Sequence, residues 1–186
     1  MPPLASTDQA EQTPAATSLD AMAADLVRRA TDAQRLRAAV AQMPGAAHRR
    51  VAFVHACENN TRALKALVGR HGWPTPALVG DEASVAALQI FLHAHDTRDL
   101  PFKVHCKNLI AAAVAKGQCS PIIGAYVEDH VAVALGQPQP FGTRINGALR
   151  RPYPIRDTQQ VDARRAEAGL PPLAEALAAV LATTAP

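Results

Sequence analysis

The sequence lacks the features that mark several common protein classes. No run approaches the 18 consecutive apolar residues of a membrane span, so we expect no membrane association. The motifs GxGxxG, GxxxxGK[ST], HExxH and GxSxG are absent, which removes the usual support for dinucleotide, nucleoside triphosphate, zinc-protease and serine-hydrolase sites. No repeat with a period of about 20 to 50 residues is visible.

Cysteine is also scarce, with three residues, Cys57, Cys106 and Cys119, and no CxxC pair. An odd number of cysteines and an N-terminus without a signal-peptide pattern predict reduced thiols in the cytoplasm. A cysteine-rich zinc site and a nucleophilic cysteine are both disfavoured by this pattern. We therefore predict a protein with no metal site and no cofactor.

Aromatic residues make up only 4% of the chain, whereas alanine supplies 40 of the 186 residues. Alanine has the highest helix propensity and sheets favour aromatic residues, so this composition favours close-packed helices. The formal net charge of +3 and the pI of about 9.0 are lower than is usual for a dedicated nucleic-acid binder, and aromatic platforms for stacking bases are nearly absent. We predict no nucleic-acid partner and assign basic residues such as Lys103 and Arg144 to a solvated face.

The spacing of apolar residues predicts an all-α bundle of about six to seven helices. Steps of three and four residues, together with capping residues, place the helices at 18–43, 46–70, 80–95, 99–116, 120–136, 157–169 and 173–181. Residues 1–17 lack this spacing and are rich in Pro, Ser, Thr and Gln, so we predict a disordered tail before a single domain over 18–186.

One segment, residues 137–156, interrupts the helical pattern. Proline is frequent there, and Asn146-Gly147 between short β-capable runs predicts a small hairpin or another ordered excursion. A loop of this length in a compact domain is usually functional or disordered, and its apolar anchors favour order. Gly142 permits a close backbone approach, and Gln139 and Thr143 offer donors and acceptors for a ligand.

Two polar residues lie where helical spacing predicts buried apolar side chains. Asp129 shares a face with Ile122 and Tyr126, and a buried carboxylate is costly unless it is paired or hydrogen-bonded. His95 extends the apolar stripe of helix 80–95 and can titrate near neutral pH. A pair between them would suit acid–base chemistry. The structural alternatives are a carboxylate that caps a helix or pairs with an arginine, and a satisfied core histidine.

Two further positions, Asn60 and His93, carry polar groups on predicted helices. Asn60 lies on a helix face, where a buried amide needs either backbone partners or a ligand. His93 and His95 form an HxH pair, but positions i and i+2 of a helix point about 200° apart, so both cannot bind one metal there. On a strand they could, and His105, Asp129 and His130 are the residues that could complete such a set. The structural alternative for Asn60 is a bridge between a helix and a loop.

A set of short segments occurs in a fixed order. They are 60–64 (NTRAL), 71–75 (HGWPT), 125–130 (AYVEDH), 136–143 (GQPQPFGT), 152–155 (PYPI), 161–165 (VDARR) and 169–171 (GLP). In this order the chain resembles a family of bacterial proteins of unknown function. The resemblance implies a pocket around the retained positions His95, Asp129, Gln139, Gly142 and Thr143.

The chain departs from the pattern of that family at three places. An early helix in relatives tends to carry adjacent Asp-Gln, whereas here Asp32-Ala33-Gln34 is split. The pattern usually reads Asp-Arg where this chain has Asp129-His130, and Tyr-Gly-Thr-Gln where it has Phe141 to Arg144. If relatives use those residues, this chain has changed its chemistry or its ligand. The further predicted ligand contacts are Asn60, Trp73, His130, Phe141 and Arg144.

These observations leave two hypotheses for function. The first is a small cofactor-free enzyme that uses His95 and Asp129 for hydrolysis, dehydration, isomerisation or cyclisation of a small molecule, as in a tailoring step of specialised metabolism. The second is a non-catalytic ligand-binding or protein-interaction module, in which the same polar residues hold loop 137–156. A solvent-reachable pocket that joins His95 to Gln139 and Thr143 favours the enzyme, and a dry hydrogen-bonded cluster favours the module.

Overall fold

Helices dominate the computed structural model, which describes residues 14–147 and 149–183. Among these residues it contains α1 (Pro14–Gln42), α2 (Ala47–His71), α3 (Pro76–Val79), α4 (Asp81–Leu92), α5 (Leu100–Ala115), α6 (Pro121–Ala134), α7 (Val161–Glu167) and α8 (Leu173–Thr183). A single 3-10 turn, Thr158–Gln160, precedes α7. The predicted all-α class is confirmed.

The start of the chain lies partly outside the described residues. The predicted tail covers 1–17, of which 1–13 are not described, and α1 begins at Pro14, four residues before its predicted start. None of the described helices combines the length and the apolar character that crossing a bilayer requires.

The helices pack as two groups that meet along α4. Helix α1 lies against both α2 and α4, α5 pairs with α6, and α4 also contacts α6. Two small residues of α4, Ala83 and Ala87, are almost fully buried, so the neighbouring helices approach closely. Alanine at such contacts explains how an alanine-rich chain with few aromatic residues still forms a dense core.

Phe91 on α4 is fully buried in the core. Its ring meets Trp73 edge to face with centroids 6.2 Å apart, and Trp73 is only 4% exposed. Edge-to-face pairs contribute about 0.5–1.5 kcal/mol beyond the burial of their area. Trp73, predicted as a ligand contact, is therefore a core residue, and its indole nitrogen has no hydrogen-bond partner among the described residues.

Helix α6 begins as its sequence predicts. Ser120 occupies the N-cap, its hydroxyl accepts the Ile122 amide at 3.3 Å, and Pro121 follows at the first helical position. Proline is preorganised for that position and its missing N–H costs nothing there. This start sets the register that turns Asp129 and His130 towards the interior.

Loop 137–156, apart from residue 148, is described by the structure and contains the predicted hairpin. Strands β1 (Ile145–Asn146) and β2 (Arg151–Pro152) pair antiparallel, with Ile145 opposite Pro152. Closer to α6, the Gln139 amide donates to the Pro154 carbonyl at 2.8 Å. The Gln139 carbonyl in turn accepts the Arg156 amide at 2.9 Å. The two limbs of the loop are thereby held together at its base.

Candidate functional site

Asp129 holds loop 137–156 against α6. Its carboxyl group is fully buried and accepts the Phe141 amide at 2.8 Å, the Thr143 amide at 2.6 Å and the Thr143 hydroxyl at 2.8 Å. Burial raises the pKa of Asp129, while hydrogen bonds from Thr143 and Phe141 act in the opposite direction. The predicted burial of Asp129 and its bonds to the loop are confirmed.

His95 does not meet Asp129, so the predicted acid–base pair is wrong. Helix α4 ends at Leu92, and His95 lies in the turn that follows, with an exposed side chain. Its Nδ1 accepts the Thr97 and Arg98 amides, both at 3.3 Å, and its own amide donates to Asp99 at 2.9 Å. These local bonds from side chain to backbone compete with helix continuation, which is why the predicted stripe does not extend to His95.

Gln139 and Gly142 serve the loop rather than a ligand. The Gln139 side chain is fully buried, donates to the Arg144 and Tyr153 carbonyls at 2.9 and 3.0 Å, and accepts the Arg144 amide at 2.9 Å. A Cβ on Gly142 would lie 2.9 Å from Ile155 Cδ1 and from a Leu173 methyl, so a larger residue here would have to displace these side chains. Gln139 is thus bonded to the loop and Thr143 to Asp129, and a pocket that joins them to His95 stays a prediction.

Phe141 lies beside a groove of about 460 Å³ between α5, α6 and α7. It packs against Ala125, Ala168 and Leu170, so it anchors the loop to these helices. Arg164, one of two cations that line this groove, already donates to the Pro140, Arg156 and Asp157 carbonyls. The surface of the groove is mostly apolar.

A cluster of ionisable groups forms around Asp96, in the turn after α4. Lys103 Nζ lies 2.7 Å from Asp96 Oδ1, and the Arg144 guanidinium contacts both carboxylate oxygens. His130 Nε2 lies 3.5 Å from the same Oδ1. The structure thus brings together two predicted ligand residues, His130 and Arg144, with two residues that were not predicted at the site.

The prediction that Lys103 belongs to a solvated face is wrong, because its side chain is fully buried. It lies on one stripe of α5 with Cys106, Ile110 and Ala113, all of them buried. A lysine on an apolar stripe with steps of three and four is the signal that could have identified this site from sequence. Asp96 gives no such signal, because it lies in a turn.

The charges of the cluster fix the protonation of its members. Burial alone would raise the pKa of Asp96, but hydrogen bonds and charges from Arg144 and Lys103 hold that pKa far below its usual range. Burial, with the charges of Lys103 and Arg144, lowers the pKa of His130 to about 3, so its imidazole is neutral. The buried His130 Nε2 has no hydrogen-bond partner among the described residues. Two cations and one anion therefore surround a neutral imidazole.

A cavity of about 270 Å³ lies between α1, α2 and α4. Cavities between the helices of a bundle are common ligand sites. Asn60, predicted as a ligand contact, lines this cavity, and its Nδ2 donates to the Arg29 carbonyl at 3.0 Å. Gln34 Nε2 donates to Gln89 Oε1 at 2.8 Å. The lining consists of Ala30, Ala33, Gln34, Arg37, Cys57, Asn60, Gln89, Ile90, Leu92 and His93.

His93 is the titratable side chain in the lining of this cavity whose pKa is lowered. It occupies the C-cap of α4, is partly buried, and packs edge to face against Phe53 at 5.5 Å between ring centroids. Burial, then the charges of Arg37 and Lys103, lower the pKa of His93. The effect of Lys103 joins the cavity electrostatically to the Asp96 cluster. Sequence reasoning considered His93 only as half of an HxH pair.

Metal and thiol chemistry find little support in the described part of the chain. No group of three His, Cys, Asp or Glu side chains there is placed to hold a metal ion. Cys57, Cys106 and Cys119 are buried free thiols, and burial raises the pKa of all three, that of Cys106 to about 12. Thiolates are therefore disfavoured at each position.

Comparisons with known proteins identify a family but no activity. A model described as a family of unknown function (DUF6624) matches residues 15–183. No curated protein and no solved structure matches the chain.

Proposed function

The chain belongs to the DUF6624 family of unknown function, and we propose that it is a small enzyme that performs acid–base chemistry on a small molecule bound in the α1–α2–α4 cavity. The observation that carries this proposal is His93, a partly buried imidazole that lines the cavity and has a lowered pKa. A neutral imidazole can accept a proton directly, and it then becomes the acid that returns the proton.

The other cavity residues can bind and orient such a substrate. Asn60, Gln34 and Gln89 supply amide donors and acceptors, while Ala33 and Ile90 supply apolar surface. A mostly apolar pocket with a few directional polar groups is typical of small-molecule sites. In this proposal His93 performs the acid–base chemistry that was predicted for His95 and Asp129, and the amides of the cavity orient the substrate.

The Asp96 cluster supports this chemistry from outside the cavity. Lys103 is anchored by Asp96, so its charge is fixed in position and contributes to keeping His93 neutral. Two of the departures from the family pattern, His130 and Arg144, lie at Asp96. The family pattern has arginine at position 130 of α6 and glutamine at position 144 of the loop. By that resemblance, the guanidinium that pairs with Asp96 comes from the loop in this chain and would come from α6 in relatives.

Turnover by matched histidine variants tests the proposal. Small esters, amides and hydroxy acids are incubated with the wild-type protein, and their conversion is followed by proton NMR. We expect conversion of at least one compound, a loss of about 10²–10⁴-fold in His93→Gln, and little change in His95→Gln. A folded His93→Gln variant that keeps the wild-type rate would refute the role of His93, and no conversion of any compound would refute the enzyme.

The second candidate is a non-catalytic ligand-binding or protein-interaction module. Asp129 and Gln139 favour it, because both are buried and their hydrogen bonds are made to the loop. Such residues stabilise a surface without reaching a substrate. Binding of a small molecule to the cavity without conversion in the NMR experiment would select this candidate.

A further inference from the structure

We infer that the molecule bound in the α1–α2–α4 cavity is a small carboxylate whose anionic group pairs with Arg37. The inference deepens the proposed function, because it names the chemical class that the same cavity takes. It rests on the ion pairs of α1 and on the charges that line the cavity, each of which is an independent observation.

Arg37 differs from the other arginines of α1. Arg28 and Arg29 both pair with Asp25, and Arg35 pairs with Asp32. Arg37 has no carboxylate partner among the described residues, and it is the arginine of α1 that lines the cavity. An exposed, unpaired guanidinium at the edge of a cavity is free to bind an anion from solution.

The described lining of the cavity contains no carboxylate that would compete with a ligand anion for Arg37. Its described lining includes neither aspartate nor glutamate. Asp96, whose partner Lys103 acts electrostatically on His93 of the cavity, is already bound by Lys103 and Arg144. A ligand anion at Arg37 would therefore meet positive charge and neutral amides, with no carboxylate of the lining to repel it.

The single guanidinium favours a carboxylate over a phosphate ester. A guanidinium forms two parallel hydrogen bonds with a carboxylate, and one pair satisfies a monoanion. A phosphate dianion would need a second cation, but Lys103 is held by Asp96. The cavity volume of about 270 Å³ equals that of about nine water molecules, which limits the ligand to a small molecule.

A bound carboxylate would also act on His93. Arg37 is one of the charges that lower the pKa of His93, so an anion paired with Arg37 weakens that effect. The pKa of His93 would then rise towards neutral pH when the carboxylate binds, which brings the imidazole closer to the range in which acid–base catalysts work best.

Benzoate and benzamide provide a matched test, because they share a shape and differ in charge. Their binding to the full chain is measured by NMR titration, with shifts of the Asn60 and Gln89 side-chain amides as the marker of the cavity. We expect benzoate to bind the wild-type protein about tenfold or more tightly than benzamide, and Arg37→Gln to reduce this preference to about twofold or less. Arg35→Gln is the control, because Arg35 lies on the same helix and already pairs with Asp32.

Each outcome decides the inference. Equal binding of the two probes, no binding of either, or a benzoate preference that survives Arg37→Gln would overturn it, as would tighter binding of phenyl phosphate than of benzoate. The proposed function fails separately. If benzoate is preferred and the preference requires Arg37, but turnover is absent or is unchanged in His93→Gln, the carboxylate site is supported and the enzymatic function is refuted.

Discussion

Lys103 and Asp96 form an ion pair across the boundary of the core. Lys103 Nζ lies 2.7 Å from Asp96 Oδ1, with the lysine side chain fully buried and the aspartate side chain 40% exposed. A buried ammonium is tolerated only where a partner balances its charge. Asp96 thus keeps a charged lysine inside the bundle while its own outer surface remains in contact with solvent.

Substitution of Asp96 should therefore lower the stability of the fold, because Lys103 loses its partner. We expect Asp96→Ala to lower the free energy of unfolding by about 2–4 kcal/mol, because it leaves a buried charge unpaired. Asp96→Ala combined with Lys103→Met should recover at least half of this loss, since an apolar side chain of similar length needs no partner. Urea unfolding of the two variants measures the difference, and equal stabilities would show that Lys103 does not depend on Asp96.

His130 should make stability depend on pH. Its pKa is lowered to about 3 by burial, Lys103 and Arg144, against the attraction of Asp96, while an unfolded histidine titrates near 6.5. Between these values the unfolded chain binds a proton that the folded chain does not, so the free energy of unfolding falls as the pH falls. From pH 6.5 to 4.5 this term amounts to about 2 kcal/mol.

The matched variant for this pH dependence is His130→Gln, which removes the titration and keeps a polar side chain. His93 also has a lowered pKa and contributes in the same direction, so the variant should show a smaller pH slope rather than none. The loss of the Asp96 pairs is confined to lower pH, below the ordinary aspartate pKa of 3.8. An identical slope in wild type and His130→Gln between pH 4.5 and 6.5 would contradict a buried neutral His130.

Asp129 should behave as a structural residue. Asp129→Asn replaces one acceptor oxygen by an NH₂ group that faces the amide donors of Phe141 or Thr143, so we expect a loss of about 1–3 kcal/mol in unfolding free energy. Turnover and ligand affinity per folded molecule should not change. The control is Glu128→Gln on the same helix, expected within about 0.5 kcal/mol of wild type. Loss of turnover without loss of stability would restore Asp129 to the active site.

Gly136 and Gly142 have the same φ but different surroundings. Alanine substitutions at these two positions therefore distinguish the cost of side-chain packing from the cost of the backbone conformation. Gly136 and Gly142 both have φ of 71°, but a Cβ at Gly136 meets nothing within 4 Å, whereas at Gly142 it would lie 2.9 Å from Ile155 and Leu173 side-chain atoms. We expect Gly136→Ala to cost about 1 kcal/mol and Gly142→Ala at least about 1 kcal/mol more in thermal or urea unfolding. Equal costs would mean that the loop adjusts to accept the extra methyl group.

Local sequence signals predicted most of the helices and part of the loop. Ser120-Pro121 marked the start of α6, Asn146-Gly147 marked the hairpin, and helical spacing placed Asp129 in the interior. Each of these signals depends on residues within a few positions of one another, so the sequence contains them explicitly.

The site was less accessible to sequence reasoning, because its parts are distant along the chain. The position of His95 depends on bonds that Asp99 and His95 make to the turn after α4, and these end the helix where apolar spacing would continue it. Arg144 and Asp96 are 48 residues apart and meet only through the packing of the loop on the bundle. The cavity around Asn60 likewise requires three helices to be placed before His93 is seen to line it.

The most direct test of the account is the titration of the His93 imidazole by two-dimensional NMR, with the resonance assigned through His93→Gln. We expect His93 to titrate below the ordinary value of 6.5 and Arg37→Gln to raise the pKa of His93, because the two residues line the same cavity. Arg35→Gln should leave the titration unchanged. A His93 pKa at or above 6.5, or a pKa that does not respond to Arg37→Gln, would contradict a neutral imidazole in a cationic cavity.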